Sequence, residues 1–308
     1  MPPRDRKFRR FRVIPSEDGQ TLQNLVTRRV PGFDRDKASE VIKAGGVYVN
    51  KLRVRLPMVR VAPGERITVY TDADEVDTFD PEQLSIVHRD PSFIVIDKPV
   101  GVPVTQTRET ARGTLAEALR HRLEREGLTR PYVGVVHRLD RGASGLVLFT
   151  IRDIANKSLH RQFVEHGIER RYRLAVHAAK PPEAEFSCDA PLLEGRSGVE
   201  VLAPRDPRGV SACTHFTRLE AESLVEGQAL LEARLETGRT HQIRAHAASL
   251  ELPIVGDARY GRCDDPKAGL HLHAYQLRFD HPIEGGRVEL EAPLPAWARS
   301  RNIDNASR

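Results

Sequence analysis

Apolar positions in the first seventy residues change period twice. Leu22, Leu25, Val26 and Val30 recur at helical spacing behind Thr21, whose hydroxyl can cap a helix, and Pro31-Gly32 breaks the run. A second helix is predicted from about Asp36, carrying Ala38, Val41 and Ile42, with Gly45-Gly46 as its stop. The period then shortens to two in Val47-Tyr48-Val49. Asn50-Lys51 turns, Val54 follows, and Ile67 to Tyr70 forms a closing strand after Pro63-Gly64. Helix, helix, hairpin and strand over residues 19–72 make a small α+β module. The acidic run TDADEVDTFDPEQ supplies a linker, 73–84, leaving residues 1–18 as a basic tail and 301–308 as a C-terminal tail.

Residues 85–300 read as one α+β domain. Phe93 to Ile96 is a short apolar strand ending at Asp97-Lys98-Pro99, and Thr114 to Arg125 has helical period. A strand-like approach from Tyr132 to Val136 leads through a polar turn to a buried strand, Gly145 to Thr150. A helix (154–164), strands near 172–176, 215–219 and 229–235, and a helix from about Thr240 follow. No fixed-period repeat runs through the chain.

Charge adds a partner class. The 308 residues carry a formal net charge of +5, which favours a polyanion. Arg4, Arg6, Lys7, Arg9, Arg10 and Arg12 crowd the start of the chain, as a solubilising tail or an RNA-contacting arm. In the module, nine basic residues, among them Arg28, Lys43, Lys51 and Arg53, outnumber the acids Asp34, Asp36, Glu40 and Glu65, which favours an RNA-facing surface. The run KASEVIKAGGVYVNKLRV resembles the S-four-type RNA-binding domain. No apolar run approaches the roughly 18 residues of a membrane span, and the N-terminus lacks the apolar stretch of a secretory signal, so a cytoplasmic location is expected. Cys188, Cys213 and Cys263 lack CxxC spacing, and the pairs His241/His246 and His271/His273 lack a third ligand at a recognised spacing, so no metal is expected.

The polar turn HRLDRGASG places Asp140 between Arg138 and Arg141. A carboxylate on such a turn can project into a cleft from rigid supports, and neighbouring cations favour its ionised form; composition alone reads it first as half of a surface ion pair. The wider sequence points further. HRLDRGASGLVL resembles the central motif of RluA-type pseudouridine synthases, with Ala143 where the family usually has Thr. Four other segments match in order: FIVIDKPVGVPV (Asp97 for the usual Asn, Val104-Thr105 for the common Val-His), RRYRLAV (Arg170 at the usual Lys position), LETGRTHQIRAHAASLELPIVGDARYG and LHLHAYQLRFDHP.

That resemblance implies an α+β fold with a mixed, mostly antiparallel central sheet flanked by helices, behind a small N-terminal α+β RNA-binding domain. It implies isomerisation of uridine to pseudouridine without a cofactor. Asp140 matches the catalytic aspartate, Arg244 the arginine that pairs with it, Tyr172 the aromatic that stacks on the target base, and Arg138 the residue that replaces the extruded base. His137, Arg141, Arg239 and His241 are further RNA-binding candidates. Structured RNA is the expected partner of a monomeric enzyme, large-subunit ribosomal RNA first and transfer RNA second. A glycosidase would need a second carboxylate, such as Glu236 or Asp257, paired with Asp140, and no sequence feature pairs them. Gly142-Ala-Ser-Gly145 is not the GxSxG of a serine hydrolase. An RNA-binding protein that has lost catalysis is the remaining alternative: Ala143 favours it, and the intact Asp140, Tyr172 and Arg244 oppose it.

Overall fold

The computed structural model describes residues 8–71, 79–106, 113–195, 198–261 and 269–301. Arg4, Arg6, Lys7, Cys263 and residues 73–78, half of the expected linker, lie outside these residues. The chain divides into two units, Met1–Pro81 with Thr105–Ala118, and Glu82–Val104 with Leu119–Arg308.

In the first unit, β1 (Phe8–Arg12), α1 (Leu22–Arg29), α2 (Arg35–Lys43), β2 (Val47–Val49), β3 (Leu52–Val54) and β4 (Arg66–Tyr70) follow one another. Thr21 caps α1 by accepting from Asn24 N–H, and Asp34 caps α2 through Lys37 N–H. Asn50 and Lys51, both at positive φ, make the tight turn of the β2–β3 hairpin. The antiparallel sheet runs β1-β4-β2-β3, and Val47, Ile67 and Val69 pack with Leu22, Leu25, Val26, Val41 and Ile42 of the two helices. One expectation is corrected: residues 8–12, read as tail, form edge strand β1, paired from Phe8↔Tyr70 to Arg12↔Arg66. Dense arginine hides its alternation, in which Phe11 packs against the core while Phe8, Arg10 and Arg12 face the other way. Pairing also satisfies the backbone of β4, which would otherwise be an open edge.

The second unit is built on a ten-stranded sheet. Its strands are β5 (Ser85–Arg89), β6 (Phe93–Lys98), β7 (Gly134–Val135), β8 (Ser144–Thr150), β9 (Glu169–His177) and β10 (Glu185–Cys188), then, after a two-stranded ribbon of β11 (Leu192–Glu194) and β12 (Val199–Val201), β13 (Thr214–Leu219), β14 (Gln228–Leu235), β15 (Leu272–Asp280) and β16 (Arg287–Glu291). The order is β10-β13-β14-β9-β15-β8-β6-β5, with β16 on β15 and β7 on β8; β15 and β8 are parallel and every other pair is antiparallel. The helices are α3 (Leu115–Arg125, within which the division between units falls), α4 (Asp153–Val164) and α5 (Gln242–Ser249). The mixed, mostly antiparallel sheet expected from the sequence is therefore present. A bulge between Ala274 and Gln276 keeps Leu277 and Phe279 on the face that carries Leu272 and Ala274. Leu159 of α4 packs with Leu277 and Phe279, and Ile243 and Ala247 of α5 pack with Tyr172, Leu174 and Leu272. Both helices thus cover one face of the sheet. The opposite face holds ion pairs, among them Arg171 with Glu169 and Glu232, and Arg278 with Glu289.

Candidate active site

Asp140 sits on the turn that joins β7 to β8. Ala143 N–H donates to Asp140 O at 3.1 Å and tightens the turn from inside. Lys98, fully buried at the end of β6, ties it down from outside: Nζ donates to Pro99 O (2.9 Å), Val102 O (2.8 Å) and Arg141 O (3.2 Å). Burial pushes the Lys98 ammonium down to about 7, against the pull of the Asp140 charge. Three carbonyl acceptors can all be satisfied only by the protonated form, which has three N–H bonds. Gly101 N–H and Arg141 Nε complete the clasp, each donating to the other residue's carbonyl at 2.8 Å. Just past the turn, Gly145 has φ +106°, and a Cβ there would lie 2.2 Å from Ala274 O. Only glycine allows β8 to run this close to β15.

A second segment supplies the cations. His241, at φ +53°, begins α5 and turns the chain so that Arg244 projects toward Asp140. Arg244 Nη1 donates to Asp140 Oδ2 at 2.8 Å. Its other edge grips Asp257, Nε to Oδ2 at 2.7 Å and Nη2 to Oδ1 at 2.8 Å, a forked pairing that fixes the plane of the guanidinium. The same guanidinium lies 5.1 Å over the Tyr260 ring. Burial opposes the charge on Arg244, but the Asp257 hydrogen bonds and both carboxylate charges raise its pKa overall. Tyr260 hydroxyl accepts from Val199 N–H (2.8 Å) and lies 2.9 Å from His241 Nδ1. On the other side of the ring, His241 Nε2 lies 3.6 Å from Asp140 Oδ1. Burial lowers the pKa of His241 against the pull of the nearby Asp140 charge.

Tyr172 enters from β9. It is 6% exposed and packs with Ala143, Leu174 and Ala274. Burial raises the pKa of its phenol, Arg170 opposes this, and the Asp140 charge adds to it. Ala143 faces this same apolar cluster, where a threonine hydroxyl would need a partner. Arg138 is exposed and, among the described residues, makes no hydrogen bond or ion pair. Arg239 is exposed beside α5, with Nε on Ser211 O at 3.1 Å. Arg141 spends its Nε on the clasp.

His137 differs from its expected role. Its Nε2 accepts from Leu148 N–H at 3.1 Å and its ring stacks on Phe163, 5.3 Å between centroids. Burial, with the Arg170 charge adding, pushes it down to about 3. A neutral ring whose acceptor nitrogen is engaged by the sheet braces the turn and is poorly placed to meet phosphate. In the first unit, Lys43 and Lys51 are exposed, Arg28 pairs with Glu17 at 3.5 Å, and Arg53 Nε donates to Tyr48 hydroxyl at 2.8 Å.

Sequence reasoning did not assign Lys98, Asp257 or Tyr260 to the site. The sequence suggested Asp257 only as a glycosidase partner, but both of its oxygens are occupied by Arg244 and by Arg259 and Tyr260 N–H. Glu236 instead pairs with His215 at 2.6 Å. With Cys213 these two bring ligand-type atoms within 4.8 Å of one another, a grouping that the sequence spacing does not suggest. The histidine pairs considered for metal do not converge: His246 bonds Thr214 and Ala190, and His273 bonds Ser144.

Comparison with known proteins identifies the family. The family model described as RNA pseudouridylate synthase matches residues 92–249. An uncharacterised RNA pseudouridine synthase of Bacillus subtilis is 35% identical over 85% of this chain and 86% of its own. Ribosomal large subunit pseudouridine synthase D of Zymomonas mobilis is 32% identical over 90% of this chain and 89% of its own. Among solved structures, human RNA pseudouridylate synthase domain containing 1 superposes with a TM-score of 0.61 at 25% identity, covering 75% of this chain and 96% of that one. Asp140, Tyr172 and Arg244 all fall inside or beside folded elements that these matches span, and the chain belongs to the RNA pseudouridylate synthase family, isomerases that convert uridine in RNA to pseudouridine.

Proposed function

We propose that this pseudouridine synthase acts on a uridine of large-subunit ribosomal RNA, in the cytoplasm and as a monomer, with Asp140 as its catalytic carboxylate. The observation that supports the site assignment best is the Arg244 guanidinium, which holds Asp140 on one edge while Asp257 locks the other. The substrate class rests on relatives named for large-subunit ribosomal RNA that match about nine tenths of the chain.

The reaction breaks the N1–C1′ bond and forms C5–C1′; the proton lost from C5 is balanced by one gained at N1. No redox partner or transferred group is needed. The target uridine must first leave its stack, at a cost of a few kcal/mol. Arg138, exposed and unpaired, fills the vacated space and meets phosphate. Tyr172 receives the flipped base beside Asp140, and the carboxylate acts on the ribose. Arg244 keeps that carboxylate in one rotamer, while the His241 ring flanks the other oxygen, with Nε2 at 3.6 Å. Arg141 and Arg239 line the approach, and Arg28, Lys43, Lys51 and Arg53 give the first unit its phosphate contacts. Mapping pseudouridines across total RNA with and without this gene tests the reading: one or more large-subunit sites should disappear on deletion and return with the wild-type chain but not with Asp140→Asn. Loss confined to transfer RNA would overturn the substrate assignment.

A further inference from the structure

The sheet of the first unit has two unlike faces. One is closed by α1 and α2. The other carries Phe8, Arg10 and Arg12 from β1, Arg66, Thr68 and Tyr70 from β4, Tyr48 from β2 and Arg53 from β3, as the alternation and register require. None of the four strands contains an acidic residue.

The aromatics are adjacent. Phe8 and Tyr70 rings lie 6.0 Å apart and Tyr70 and Tyr48 rings 5.8 Å apart, in one file across the sheet. Arg10 lies 4.5 Å over the Phe8 ring and Arg53 5.1 Å over the Tyr48 ring. Phe8 is 48% exposed, so its ring is accessible on this face. A shallow depression beside the file is lined by Arg10, Arg12, Lys51, Arg66 and Tyr70. At the β3 end the face is partly taken, since Arg53 Nη1 donates to Gln106 Oε1 at 3.3 Å. The β1–β4 half has Arg10, Arg12 and Arg66 exposed.

We propose that this half of the sheet face is a platform for unpaired RNA, with Phe8 and Tyr70 stacking on bases while Arg10, Arg12 and Arg66 hold the backbone. The proposal rests on the reading of this enzyme as acting on RNA, and extends the contacts assigned above, of which Lys51 and Arg53 border this face, to the exposed aromatics and arginines of β1 and β4. A duplex hides its base faces, so it would use the arginines alone; an unpaired strand uses both features. A protein partner would have to bring acids to every arginine and flat apolar groups to the rings, whereas a single strand offers both in each nucleotide.

The test uses the full-length chain and a short oligouridylate, with a hairpin lacking unpaired flanks as control. Phe8→Ala, an exposed edge position, should weaken oligouridylate binding by about 5- to 150-fold, the range of one stacking contact. Arg10→Ser with Arg66→Ser should flatten the logarithmic salt dependence by about 0.7 for each phosphate no longer neutralised. Hairpin affinity should fall in the arginine variant and stay within twofold in Phe8→Ala. Ultraviolet crosslinking of the wild-type chain should mark peptides of β1 and β4. Oligouridylate affinity unchanged in both variants, or crosslinks confined to α1 and α2, would overturn the platform. Circular dichroism of both variants separates weaker binding from a failure to fold. Pseudouridine formation by the wild-type chain is scored separately, so failure of the platform and failure of the catalytic reading are told apart.

Discussion

Arg244 joins Asp140 to Asp257, donating from Nη1 to the first at 2.8 Å and from Nε and Nη2 to the second at 2.7 and 2.8 Å. A planar fork can serve two carboxylates on two edges; a lysine ammonium cannot fix either plane. Arg244→Lys should therefore keep the local charge and lose the geometry. Misplacement of a reacting group by an ångström costs about a hundredfold, and a single-turnover rate on a ribosomal RNA transcript should fall by at least that much. A rate near wild type would mean that Arg244 contributes positive potential and nothing more.

Asp257 gives the site a defined acid limb. Burial favours its neutral form, but the Arg244 hydrogen bonds and charge and two backbone N–H groups hold its pKa below the usual carboxylate range. With the folded pKa depressed, the stability it contributes is fully present above the unfolded value of about 4 and is lost as pH falls through the folded one. Wild-type Tm should drop progressively below about pH 4, and Asp257→Asn should show a smaller drop there. At neutral pH the Asn variant, leaving a buried guanidinium with one carboxylate, should lose about 3 kcal/mol. Parallel Tm–pH curves for the two chains would rule out this assignment.

Much of this site was legible because its residues lie in short, ordered segments: the Asp140 turn, the β9 tyrosine and the start of α5. What stayed hidden depends on contacts across the sheet. Asp257 and Lys98 stand in the GDARYG and DKP runs, yet their partners are 13 and 43 residues away, Arg244 and the Arg141 carbonyl. His137 illustrates the reverse, since its place beside Asp140 suggested RNA while its ring turns to Leu148 and Phe163. Strands β5, β10 and β16 were missed because they are four or five residues long with few buried positions. Short half-exposed strands are held by their ladders, which no local period announces.

Two supports of the turn can be broken separately. Lys98→Met removes one buried ammonium and leaves the Pro99 and Val102 carbonyls without its donation, while Arg141 O keeps Gly101 N–H; each buried unsatisfied carbonyl costs about 1–3 kcal/mol. Tm and rate should fall together. Gly145→Ala should be worse, because its Cβ would meet backbone, not a side chain that can swing away, at 2.2 Å. Little soluble protein is expected from it. Normal yield and Tm from Gly145→Ala would show that β8 and β15 can separate more easily than their register suggests.

Tyr172 separates ring from hydroxyl. Alternation along β9 puts it on the helix-covered face with Leu174, and it packs against Ala143 beneath the Asp140 turn. Tyr172→Phe keeps the flat surface and the packing, and should bind RNA as the wild type does. Tyr172→Leu loses the flat surface and should weaken binding by roughly 1–3 kcal/mol of stacking. Poorer packing is a separate effect, read from Tm, since a large-to-small change beside Ala143 leaves a cavity. If the phenol also moves a proton, Tyr172→Phe will bind normally and turn over slowly. Single-turnover rate and RNA affinity, measured for both variants on one substrate, decide the matter. Equal affinity and equal rate in Phe and Leu would leave Tyr172 as core alone, and the base would need another aromatic partner.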